Sequence, residues 1–230
     1  MFKSKLVLFV AVAPLLIIFR NPAAYSYDAN IGNSYTGQKK IEETIVLLKE
    51  ELKKHPQDSS IYARLGQMYI EGNNEDEAIK WFKDGLKTDS HNTELYERLG
   101  KVYERMANYD ESIKWLKEGL KAGPQNTGIY RGFGSVYKEM GKYDEAIKWF
   151  KESLITAPYD SETYAGLGET YGRMANYDES IKWLKEGLKI NPNNMRIYQV
   201  FGLVYRWMGQ YDEAIKWLKE GLKIAPETPE

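Results

Sequence analysis

The chain has 230 residues, 43% hydrophobic and 28% charged, a balance that fits a globular protein with a sizeable core. Its 32 basic and 33 acidic residues nearly cancel and form no basic stripe, so attraction to nucleic acid has no electrostatic support. Cysteine is absent, which excludes disulfides, thiolate metal sites and a cysteine nucleophile.

The N-terminus differs from everything after it. MFKSK carries two lysines, and LVLFVAVAPLLIIF is an unbroken apolar run over residues 6–19. Arg20 follows, then small residues at Ala23, Ala24 and Ser26. This order reads as a secretory signal peptide over residues 1–26, with cleavage expected after Ser26 or Ala24. As a helix the run would rise about 21 Å, short of the roughly 30 Å hydrocarbon core. An uncleaved membrane anchor through residues 6–19 is the alternative. No cysteine follows the run, so a bacterial lipoprotein anchor is excluded. The expected location is periplasmic or secreted, or else membrane-anchored. Residues 27–39 read as a linker, and residues 40–58 as a partial repeat consisting of a single helix.

From residue 59 the chain repeats every 34 residues without insertion or deletion. One column holds Tyr62, Tyr96, Tyr130, Tyr164 and Tyr198. The next holds Leu65, Leu99, Phe133, Leu167 and Phe201, each followed by glycine, and a third holds Tyr69, Tyr103, Tyr137, Tyr171 and Tyr205. Later columns carry small residues (Ala78, Ser112, Ala146, Ser180, Ala214) and tryptophans (Trp81, Trp115, Trp149, Trp183, Trp217). Prolines close four of the units, at Pro124, Pro158, Pro192 and Pro226, whereas the first has Ser90 there, predicting a looser loop. The units span 59–92, 93–126, 127–160, 161–194 and 195–228.

Each unit reads as two helices. Tyr62, Leu65, Gly66 and Tyr69 stand at i, i+3, i+4 and i+7, one face of a first helix. Ile113, Leu116 and Leu120 mark a second, and Asn108 with Glu111 has capping-box spacing. Glycines at Gly85, Gly119, Gly187 and Gly221 sit inside the second helices. Mid-helix glycine costs about 1 kcal/mol against alanine, so very close helix contact is expected there. The block RMANYDESIKWLKEGLK occurs twice, at 105–121 and 173–189. In register it is a capped second helix, and its 68-residue spacing points to duplication of a two-unit block.

These columns resemble the tetratricopeptide repeat. The period, the aromatic–Leu-Gly–Tyr first helix, the small–aromatic second helix and the closing proline all match, over five full repeats and a partial one. The resemblance implies an all-α, right-handed superhelical solenoid of antiparallel helix pairs. It also implies a non-catalytic protein–protein interaction scaffold, whose first helices line a concave groove for a peptide or protein partner.

No residue set is assigned to catalysis, a cofactor or a metal. His55 and His91 lie at or beyond second-helix ends without a partner at ligand spacing, and the Asp-Glu pairs stand at helix starts, where acids favour the dipole. The tryptophan column is expected to pack between successive helix pairs. Trp207 is off that column, where other units carry Glu71, Arg105, Glu139 and Arg173; it reads equally as a binding anchor or as padding for the last pair.

Selectivity is expected on the variable positions of the first helices: Ala63, Gln67 and Ile70; Glu94, Glu97, Lys101 and Glu104; Arg131, Ser135 and Lys138; Glu162, Ala165 and Glu169; Arg196, Gln199, Leu203 and Arg206. Of these, Glu97, Lys101, Arg131, Lys138, Arg196, Gln199 and Arg206, with Trp207, are the candidate partner contacts. The carboxylate clamp of chaperone-binding relatives needs Asn directly after the Leu-Gly pair. Gln67, Lys101, Ser135, Glu169 and Leu203 stand there, which argues against that partner. A homo-oligomer is the alternative expectation, because Ile215, Leu218 and Leu222 on the last second helix have no following helix to cover them.

Overall fold

The computed structural model describes residues 22–224, with side chains from residue 37 onward. The expected signal segment, up to residue 21, lies outside the described residues. The chain divides into two compact units, 1–43 and 44–230. Helix α1 (Pro22–Lys54) supplies the described part of the first. There Lys39 and Glu43 approach to 3.9 Å, one turn apart. Residues 27–39, expected as a linker, lie inside this helix. Pro22 suits a first helical position, and no proline interrupts the helix before Pro56.

In the second unit the C-terminal part of α1 is followed by five helix pairs. They are α2 (Ser59–Glu71) with α3 (Glu75–Thr88), α4 (Thr93–Arg105) with α5 (Tyr109–Ala122), and α6 (Thr127–Glu139) with α7 (Tyr143–Thr156). Then come α8 (Ser161–Arg173) with α9 (Tyr177–Ile190) and α10 (Met195–Trp207) with α11 (Tyr211–Leu222). Strands are absent among the described residues, and no described helix is long and apolar enough to cross a membrane. The architecture is an all-α solenoid.

Local chemistry sets the helix ends. Asn74, Asn108 and Asn176 cap second helices by accepting from the N–H three residues on, and Asn92, Asn126 and Asn194 do the same for first helices. The turn inside each pair needs one residue of positive φ. Gly141 and Gly209 supply it without strain, whereas Ala107 and Ala175 are held at φ 55° and 58°.

Packing follows the columns. The tryptophans lie against the first tyrosine column of their own pair, with ring centroids about 6 Å apart, as in Tyr96–Trp115 at 6.2 Å and Tyr164–Trp183 at 5.9 Å. The same tyrosines reach back: Tyr62 donates to the Pro56 carbonyl (3.0 Å) and Tyr198 to that of Pro192 (2.9 Å). Tyr96 makes this bond to Ser90 (3.2 Å), so the unit without a closing proline ties its loop the same way. The mid-helix glycines are close contacts, as expected. A methyl group at Gly187 would stand 2.8 Å from Tyr164 Cβ, and one at Gly221 would stand 2.8 Å from Tyr198 Cβ. Units two and four also share a bond from the small column to the Leu-Gly glycine. Ser112 donates to Gly100 O and Ser180 to Gly168 O, both at 2.6 Å.

Candidate interaction groove

Two cavities open on the face built by the first helices. One, of about 380 Å³, is lined by Gln67, Ile70, Phe82, Glu94, Lys101 and Arg105 among others. The other, of about 370 Å³, is lined by Glu97, Lys101, Glu104, Arg131, Ser135, Lys138 and Arg196 among others. Gly128 and Gly132 of α6 form part of its floor, at positions where α4 carries Glu94 and Arg98. The space beside them is taken by Glu97 and Leu116, which a methyl group at Gly128 or Gly132 would meet.

Most charges on this face are spent on one another, across neighbouring units. Arg131 stands 3.5 Å from Glu97 on α4 and 3.0 Å from Asp160 before α8. Lys138 on α6 reaches Glu169 on α8 at 2.7 Å and its neighbour Glu139 at 3.1 Å. Arg173 joins the same cluster, 2.9 Å from Glu169 and 3.1 Å from Glu139. From α10, Arg196 approaches Glu162 (3.2 Å) and Glu169 (3.5 Å). Arg105 pairs with Glu75 at 3.0 Å, and Arg98 with both Glu94 and Gln67. The result is a ladder of ion pairs along the face, densest from α6 to α10.

Electrostatics divides two carboxylates, the half-buried Glu104 and the buried Glu169. Burial pushes Glu104 above the usual carboxylate range, only partly offset by the Ser135 hydroxyl that donates to it at 2.6 Å. Burial acts on Glu169 in the same direction, but Lys138, with Arg173 and Arg196, outweighs it and holds that carboxyl below its ordinary value.

The candidate contacts therefore separate. Glu97, Lys101, Arg131, Lys138 and Arg196 line one cavity, and Gln199, Arg206 and Trp207 stand outside it. Lys138 is 3% exposed and belongs to the ion-pair cluster. Lys101 and Arg206 are exposed and form no ion pair among the described residues; Gln199 is exposed too. The Trp207 ring covers Gly172 of the preceding unit, where a methyl group would meet it at 2.8 Å, and the residue is 36% exposed. The pairing of Glu139 with Arg173 has no signal in the sequence, because both stand at charge-rich helix ends that look solvated. Among the described residues no group of three or more His, Cys, Asp or Glu could hold a metal ion.

Comparison with known proteins agrees with this architecture. The crystal structure of MamA is 28% identical and superposes with a TM-score of 0.52, covering 70% of this chain and 94% of that one. A tetratricopeptide repeat protein from Parabacteroides merdae, 18% identical, covers 90% of this chain and 81% of its own at a TM-score of 0.71. A thermophilic protein of the same repeat from Thermus thermophilus, 19% identical, covers 74% and 92% at 0.67. At these last two identities the likeness speaks to fold alone. No curated protein matches the sequence. The tetratricopeptide repeat profile matches residues 59–92 and, in three overlapping stretches, 89–154, 125–193 and 159–227. With the columns, the helix pairs and the profile in agreement over most of its length, the chain belongs to the tetratricopeptide-repeat family.

Proposed function

We propose that this protein is a non-catalytic interaction scaffold or adaptor of the cell envelope, binding a protein or peptide partner along its first-helix face. Proteins of the family are interaction scaffolds, and stacked repeats present extended concave surfaces for binding. The observation that carries the groove reading is Lys101. It is exposed, lines both cavities, and forms no ion pair among the described residues, on a face whose other cations are mostly engaged. A partner bound there finds a lysine without an ion pair among the described residues, beside Ile70 and Val102 at the first cavity, and the half-buried acid Glu104 at the second. The envelope location rests on the apolar run at 6–19, and N-terminal sequencing of the mature protein tests it.

The groove is tested with a partner recovered by crosslinking in the native compartment, its affinity then measured with the purified chain. Lys101→Glu and Arg131→Glu are expected to weaken binding, Lys101→Glu without loss of stability. Unchanged affinity in both sinks the reading.

A second reading, self-assembly, draws on the last second helix. Tyr211, Ile215, Leu218 and Leu222 of α11 are 65%, 50%, 43% and 69% exposed, more apolar surface in one row than a solvated helix face usually carries. Sedimentation showing a monomer at high micromolar concentration removes it.

A further inference from the structure

Helix α11 repeats α9 residue for residue over its 12 positions, except that Ala214 replaces Ser180. The two helices therefore present the same surface, yet they meet different fates. On α9, Leu184 is fully buried, and Tyr177, Ile181 and Leu188 are partly covered by Ile197, Val200, Phe201 and Val204 of α10. On α11, the equivalent Leu218 remains 43% exposed, with Ile215 at 50% and Leu222 at 69%. What α9 docks in this molecule is an amphipathic helix, so α11 carries a proven helix-docking face left open.

The polar edge of that face specifies the occupant further. Across the two inner junctions on either side of α6, a side chain near the end of one first helix meets the residue after Leu-Gly in the next. Ser135 donates to Glu104 in this way at 2.6 Å, and Lys138 pairs with Glu169 at 2.7 Å. Arg206 of α10 occupies the Lys138 column, is exposed, and has no ion pair among the described residues. A helix seated on α11 in the register of α10 on α9 would bring that position to Arg206.

We infer that the α10–α11 end face docks a helix from another polypeptide, with apolar residues at i, i+4 and i+7 and a carboxylate at i+6. The carboxylate pairs with Arg206 as Glu169 does with Lys138. A folded second copy is the poorer occupant. The first helices that carry this seam are already packed between their own neighbours, and the exposed apolar residues of α1, Val46 and Leu47, are adjacent rather than one turn apart. This inference is separate from the groove reading and does not rest on it.

The test uses a labelled synthetic peptide with the α10 sequence, residues 195–207, carrying Leu203→Glu; Ile197, Phe201 and Val204 then supply the apolar positions. Fluorescence anisotropy with the full chain is expected to show saturable binding, weakened more than about tenfold by Ile215→Asp with Leu222→Asp. Circular dichroism checks that this variant folds, and Leu222→Lys, at the most exposed of the four, serves as a milder second variant. Arg206→Glu is expected to weaken the peptide about fivefold, and a Leu203→Lys peptide to recover that loss. Lys101→Glu leaves the affinity unchanged, which separates this site from the groove. Absence of saturable binding, indifference to both α11 variants, or a self-associated chain that the peptide fails to displace overturns the inference.

Discussion

The Lys138 ammonium stands 2.7 Å from the Glu169 carboxylate, joining α6 to α8 at a point where Lys138 is 3% exposed. A lysine this deep is retained only when it is paired, because its desolvation otherwise outweighs any packing gain. Glu139 completes its surroundings at 3.1 Å, and Arg173 and Arg196 share the Glu169 carboxylate. The cluster thus holds three successive units in one arrangement.

Removing the lysine leaves Glu169 with two arginines, so the charge is not stranded. Lys138→Met is expected to destabilise the chain by about 2 kcal/mol, below the 3–5 typical of an orphaned buried charge. Urea denaturation of the variant against the parent measures it. An unchanged midpoint would mean that the pair contributes no net stability.

Glu104 and Glu169 act in opposite directions with pH. Glu169 titrates below its unfolded value, so its contribution is fully present above that value and is lost as pH falls through the folded one. Glu169→Gln is therefore expected to destabilise at neutral pH, with the difference shrinking in acid. Glu104 titrates above its unfolded value, so its ionised form costs stability above the folded value and nothing below the unfolded one. Glu104→Gln is expected to stabilise at neutral pH and to match the parent in acid, provided the amide still accepts from Ser135. Denaturation midpoints of both variants across the acid range check the signs.

Ala107 and Ala175 adopt the left-handed conformation that glycine occupies at Gly141 and Gly209. For a residue with a Cβ this costs about 1–2 kcal/mol, partly offset because glycine loses more freedom on folding. Ala107→Gly and Ala175→Gly should each stabilise by about 0.5 kcal/mol. Gly141→Ala should destabilise by about 1 kcal/mol. Thermal unfolding of the three variants reads all of this.

Inside the second helices the sign reverses. Alanine is the better helix former by about 1 kcal/mol, but its methyl at Gly187 would lie 2.8 Å from Tyr164 Cβ and 2.6 Å from the Ile197 side-chain end. The tyrosine Cβ is fixed by its backbone and cannot swing aside. Gly187→Ala is expected to cost about 1–3 kcal/mol net, the range of overpacking. A higher melting temperature in this variant would show that the helices separate easily.

Much of the architecture was legible because the repeat states it five times. The tyrosine, Leu-Gly and tryptophan columns give helix faces, but the tryptophans, expected between successive pairs, also lie against the tyrosine of their own pair. The close approach at Gly187 and Gly221 was readable for the same reason, since glycine held repeatedly inside a helix needs a steric cause. Helix over residues 27–39 was not readable, because repeat columns stop there and their absence says nothing about helix formation itself.

Sequence alone thus determined the units, the helix pairs and the face on which a partner would be sought, all properties of spacing within a single repeat. Tertiary structure decided which charges on that face are available. Lys138 and Glu169, or Arg131 and Glu97, are 31 and 34 residues apart, and look like independent solvated groups until adjacent units bring them together. Trp207 acquired its place over Gly172 in the same way. Nearly identical helices likewise parted company: Leu184 and Leu218 share a local sequence, and the presence of α10 over one of them buries it. Burial and ion pairing belong to the neighbour as much as to the residue, which is why they appear only when the repeats are stacked.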